Sequence, residues 1–119
     1  MSNHAEHTVD FAQIDALLNA AGRSGVEDII DAFWRSTDSL VERLASQVET
    51  QDFAEAVRTA HAIKGSAANV GASSLASAAR KVEAFCRSEN AAGAAGAMDL
   101  LTVAYANTRS MISARINAA

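Results

Sequence analysis

Apolar residues along this chain recur at steps of three and four, the period of an α-helix, and no β-branched alternating run suggests a strand. Five such runs separate. In the first, Thr8 reads as a cap, Phe11, Ile14, Leu17, Leu18 and Ala21 form one apolar side, and Gly22 and Gly25 end the helix. A helix this short is expected to lie across the end of a bundle. Ser24-Gly25-Val26-Glu27 then reads as a capping box opening a long helix. Val26, Ile30, Phe33, Thr37, Leu40, Val41, Leu44 and Val48 keep one stripe for about six turns, with Ile29 and Trp34 on its flanks.

The third run is predicted to start at Asp52, with Glu55 reaching back as a capping box, and to stop at Gly71 in the left-handed conformation. Phe53, Ala56, Val57, Ala60, Ile63, Ala67 and Val70 trace its buried face. Ser73 or Ser74 is expected to cap the next helix, whose apolar side is Leu75, Ala78, Ala79, Val82, Phe85 and Cys86. So short a link forces an antiparallel hairpin. Residues 90–96, rich in alanine and glycine, read as a loose connection, with firm helix from about Ala97. Leu100, Leu101, Ala104, Tyr105, Thr108, Met111, Ile112 and Ile116 make the last stripe, and Arg109 and Arg115 suit its C-terminal dipole. The pattern predicts an all-α, antiparallel up-down-up-down four-helix bundle with a short additional N-terminal helix, spanning residues 8–119. Residues 1–7 read as a frayed polar tail.

Composition supports this reading. Half of the 119 residues are hydrophobic but only 5% are aromatic, so the core is aliphatic, and the absence of proline favours long helices. A net charge of −4 leaves no basic footprint for nucleic acid. The single Cys86 excludes an internal disulfide and reads as a small core residue. Neither a signal pattern nor a run of the ~20 apolar residues of a membrane span occurs, so a soluble cytoplasmic protein is expected. His4 and His7 are spaced like metal ligands but lack companions.

The candidate chemistry centres on His61, which lies off the buried stripe. Lys64 at i+3, Gly65 at i+4 and Ala68 at i+7 line up beside it. A glycine inside a helix costs about 1 kcal/mol relative to alanine, so Gly65 suggests that even a methyl group would obstruct something. An imidazole with an open patch beside it and an ammonium within reach suits a phosphoryl acceptor. Arg58, at i−3, could add positive potential. Glu83 and Arg87 are spaced i, i+4 on the polar boundary of the following helix, with Arg80 one turn earlier. Trp34 reads as a core-edge residue, with an exposed docking patch as the alternative.

The segment His61-Ala62-Ile63-Lys64-Gly65-Ser66-Ala67-Ala68-Asn69-Val70-Gly71 closely resembles the signature of histidine-containing phosphotransfer (HPt) domains. The resemblance implies the same helical bundle and a phosphoryl carrier of multistep His–Asp phosphorelays, with His61 phosphorylated at Nε2. It implies supporting roles for Lys64 and Gly65, and for Glu83 as an acceptor from Nδ1–H, with Arg87 a candidate for steadying the phosphoryl oxygens. The implied partners are response-regulator receiver domains, which supply their own aspartate and Mg²⁺, and a hybrid sensor histidine kinase. No cofactor of its own is expected. The docking face is expected on the helices bearing residues 29–34, 61–68 and 79–87. With no glycine-rich phosphate loop, no ATP-dependent kinase activity is expected. The alternatives are an adaptor of the same fold that binds receivers without being phosphorylated, and the dimerisation half of a histidine kinase. The latter usually carries a proline after its histidine and is built from two chains, whereas a monomer is expected here.

Overall fold

The computed structural model describes residues 8–119, which form four helices: α1 (Ala12–Glu49), α2 (Phe53–Asn69), α3 (Ser73–Arg87) and α4 (Ala91–Asn117). The tail at residues 1–7, with His4 and His7, lies outside the described residues. The helices are all-α as the periodicity predicts, and each buries most of the stripe read from the sequence, Ala21 and Leu100 excepted. Ile14, Leu44, Ile63, Leu75, Leu101 and Ile112 are fully buried. Burying a side chain of this size contributes about 1.5–3 kcal/mol.

Directions follow from cross-helix contacts. His61 and Lys64 of α2 meet Glu83 of α3, and only the short turn at residues 70–72 joins the two helices. Arg23 reaches Asn117, the Trp34 ring packs edge-on against Tyr105, and Asp38 pairs with Arg109. Thus α2 runs against α3 and α1 against α4, as the predicted up-down-up-down arrangement requires.

The short first helix exists as one limb of α1. Gly22 (φ 72°, ψ 176°) breaks the helical path, a conformation essentially reserved for glycine. The break falls at Gly22 alone. Gly25 is helical, and a Cβ there would lie 2.8 Å from that of Ala21.

Several predicted boundary devices are not used. Asp52 and Ala72 occupy N-cap positions without side-chain capping bonds, Glu55 pairs with Arg58, and Ser73 Oγ donates to the Gly71 carbonyl. Ser24 makes no capping bond, and Glu27 pairs with Arg23. Asp10, rather than Thr8, accepts from the Ala12 N–H at the start of α1. Residues 91–96 are helical and not loose. Asn90 accepts from the Gly93 N–H, and Gly93 lies so close to the Phe85 ring that a Cβ would collide with it. Leu100 is exposed, so it leaves the last stripe. Arg109 and Arg115 bind Asp38 and Asp15 across the α1–α4 seam instead of the helix end.

Gly71 does stop α2 with positive φ (78°). Its carbonyl accepts from the Asp10 N–H at 2.7 Å, which straps the N-terminal segment over the α2–α3 turn.

Candidate functional site

The buried face of α2 fixes the rotation of its remaining residues. With Ala56, Ala60, Ile63 and Ala67 fully buried, His61 must project from the surface, and 64% of its side chain is exposed. On α3, burial of Leu75, Ala79, Val82 and Cys86 turns Glu83 toward α2. The two meet with His61 Nδ1 at 3.2 Å from Glu83 Oε2.

Glu83 is the hub of the site, only 5% exposed, where the sequence suggested a boundary position. Arg87 Nη2 donates to Oε2 at 2.7 Å, and Lys64 Nζ lies 3.4 Å from Oε1. Burial pushes the carboxyl pKa up, but the bonds from Arg87, His61 and Lys64 outweigh it and leave Glu83 below its ordinary range. An ionised acceptor assigns the proton of the neutral ring to Nδ1. The lone pair is then on Nε2, for which no partner occurs among the described residues.

Gly65 and Ala68 are exposed on the same line, and a Cβ at Gly65 would meet nothing within 4 Å. The chain's own packing therefore gives no reason for glycine there. The site is a fixed imidazole with one free nitrogen, an ammonium nearby and open backbone beside it, which can attack an electrophile presented from outside.

His61, Lys64, Gly65, Glu83 and Arg87 are thus brought together. Arg58 is engaged with Glu55 at 2.9 Å. Arg87 is occupied by Glu83 and holds that carboxylate. Trp34 does not join a docking face: it is buried between Phe33, Tyr105 and the Arg109 guanidinium, while Ile29 stays 45% exposed. Cys86 is buried, and burial pushes its thiol pKa up, as for an inert core residue. Sequence reading missed the strap at Asp10, whose only signal was Gly71. Among the described residues no group of histidine, cysteine or carboxylate side chains could hold a metal ion, and no helix is long and apolar enough to cross a membrane.

A sequence profile of the Hpt domain matches residues 28–113, a span that contains the whole site. The chain belongs to the Hpt domain family. Hpt proteins are phosphocarriers rather than kinases, so this chain has a phosphotransfer role in a His–Asp phosphorelay. No curated protein matches the sequence significantly.

Solved Hpt structures share the fold. A rice protein assigned as a histidine-containing phosphotransfer protein superposes with a TM-score of 0.81 at 21% identity, covering 96% of this chain and 83% of its own. One from maize gives 0.79 at 23% identity, covering 95% and 87%. One from Medicago truncatula gives 0.80 at 19% identity, covering 97% and 85%.

Proposed function

We propose that this Hpt chain accepts a phosphoryl group from one receiver-domain aspartate and passes it to another through Nε2 of His61. The orientation of the imidazole carries the reading: its Nδ1 is held by a buried carboxylate while Nε2 is free on an exposed face. In the forward step the Nε2 lone pair attacks phosphorus as the bond to the aspartyl oxygen breaks. The electron pair of that bond leaves with the donor's carboxylate. The ring keeps its Nδ1 proton and becomes a phosphorylated imidazolium, whose positive charge Glu83 offsets. The carboxylate acts at the nitrogen opposite the incoming group, so its repulsion of the phosphoryl oxygens is limited.

Lys64 offsets charge on the phosphoryl oxygens, Gly65 admits the partner, and Arg87 fixes Glu83. The receiver supplies the aspartate and the Mg²⁺ that spreads charge in a loose in-line transition state. A hybrid sensor histidine kinase upstream provides the ATP-dependent step. The protein works as a cytoplasmic monomer.

The test is incubation with receiver domains phosphorylated by acetyl phosphate in Mg²⁺. Wild type is expected to take up label and His61→Gln none, with its helical content intact. Label on folded H61Q overturns the assignment. Unlabelled wild type that still binds receivers indicates the adaptor instead. Sedimentation checks the monomer.

A further inference from the structure

We infer that Arg80 is a specificity-determining residue, which engages an acidic side chain at the edge of the docked receiver domain. The inference deepens the carrier reading and rests on it.

The cations around His61 are nearly all neutralised within the chain. Arg58 bonds to Glu55, while Lys64 and Arg87 share Glu83. Arg80 is the exception. It is exposed and has no carboxylate within ion-pairing distance among the described residues. It lies at i−3 from Glu83 on α3, on the same side of the helix and one turn nearer the α2–α3 turn. Because α2 and α3 are antiparallel, that turn brings it beside Lys64 and Ala68 rather than beside His61.

There the surface is concave. Lys64, Ala68, Ser77 and Arg80 line a groove of about 370 Å³, with Asp10 of the N-terminal strap and Gln13 of α1 along its edge. The hairpin residues between the cations are small, so a partner side chain can enter. The strap is anchored through Gly71 and the groove is preformed. It continues directly from Lys64, part of the phosphoacceptor site.

Charge decides what the groove takes. An ion pair within the chain has little net field at a distance, whereas an uncompensated guanidinium attracts an acid and repels a cation on an approaching surface. Asp10 in the same groove disfavours a free multivalent anion but tolerates a single carboxylate held by Arg80. The phosphoryl group itself is served by Lys64, whose ammonium reaches Glu83 while Arg80 contacts neither Glu83 nor His61. Charges at a rim mainly alter association rate and salt dependence, so Arg80 discriminates between receivers without entering the chemistry.

The experiment compares the full chain with Arg80→Glu and Arg80→Lys against a panel of acetyl-phosphate-charged receiver domains. Phosphoramidate, a small donor with no docking surface, labels His61 in parallel. For the receivers wild type prefers, R80E is expected to slow transfer roughly tenfold at low salt, an effect shrinking to about twofold near 0.5 M salt. The rank order of receivers should change, and R80K should stay within about threefold of wild type. Phosphoramidate labelling should fall far less than receiver-dependent transfer. Equal transfer by R80E and wild type at all salt concentrations overturns the inference. So does an equal slowing with both donors, which would put Arg80 at the phosphoryl group. Wild type that takes no label from any receiver overturns the carrier reading itself, a result separable from the other two.

Discussion

His61 and Glu83, 22 residues apart in the chain, meet through Nδ1 and Oε2 at 3.2 Å across the α2–α3 hairpin. The pair joins an exposed ring to a buried carboxylate, so a group on the surface inherits the rigidity of the core. Arg87 and Lys64 keep Glu83 ionised, and an ionised Glu83 sets the tautomer that puts the lone pair on Nε2.

Substituting Glu83→Gln tests this linkage through pH. The Glu83 pKa is depressed in the folded state, so its stabilising contribution is present above the ordinary carboxylate range and is lost as pH falls through the folded value. At pH 7 E83Q is expected to be less stable by roughly 1 kcal/mol, because Arg87 and Lys64 lose a charged partner but remain partly solvated. The gap in urea midpoint between wild type and E83Q should narrow on acidification toward pH 3. Phosphotransfer at neutral pH should slow by up to about tenfold, since the glutamine amide oxygen can still accept from Nδ1–H but the ring loses its charge compensation. A gap that widens in acid would show that Glu83 does not carry the charge assigned to it.

Gly65→Ala separates stability from access. A Cβ there meets nothing within 4 Å, and alanine is favoured over glycine in a helix by about 1 kcal/mol. G65A is therefore expected to raise the melting temperature while lowering the rate of transfer from receivers. Phosphoramidate, being small, should label it nearly as fast as wild type. Loss of stability in G65A, or an unchanged receiver rate, would contradict the access role.

Gly71→Ala should be far more damaging than Gly22→Ala. Both glycines have positive φ, which costs an L-residue of order 1–3 kcal/mol. Gly22 has open space around it, but a Cβ at Gly71 would strike the Asp10 carbonyl and lie 2.9 Å from Gln13 Oε1. G22A is thus expected to lose about 1–2 kcal/mol and G71A more than 3 kcal/mol, with release of the strap. Denaturant unfolding measures both, and equal losses would mean that the strap contributes nothing.

Thr37→Val and Thr108→Val are expected to stabilise the bundle. Both hydroxyls are fully buried and have no hydrogen-bond partner among the described residues. Replacing an unsatisfied hydroxyl by a methyl group of similar shape removes a desolvation cost of about 1 kcal/mol or more. A lower melting temperature in either variant would show that the hydroxyl has a partner in solution.

The long stripes, the stop at Gly71 and the line His61–Lys64–Gly65 are all legible in the sequence. Each depends on positions three or four residues apart, a spacing that helix geometry fixes locally. The caps are less legible. Asp52, Ser24 and Ser73 have the right chemistry, yet Glu55 turns to Arg58, Glu27 turns to Arg23, and Ser73 donates to Gly71. An exposed polar side chain has several partners of similar energy within reach, and sequence does not rank them. Residues 91–96 look loose because alanine and glycine lack an apolar pattern. The Asn90 cap and the fit of Gly93 against Phe85 make them helix.

The sequence by itself determined the helices, the face each one buries, and the exposed histidine with its lysine and glycine. These follow from short-range periodicity along one segment. Only the tertiary structure decided that Glu83 is buried and shared by three donors, that Trp34 is sealed into the α1–α4 seam, and that Arg80, among the described residues near the site, lacks an acid. Those properties depend on which segments come together, because burial and ion pairing are set by neighbours distant in the chain rather than by the residue's own surroundings in sequence.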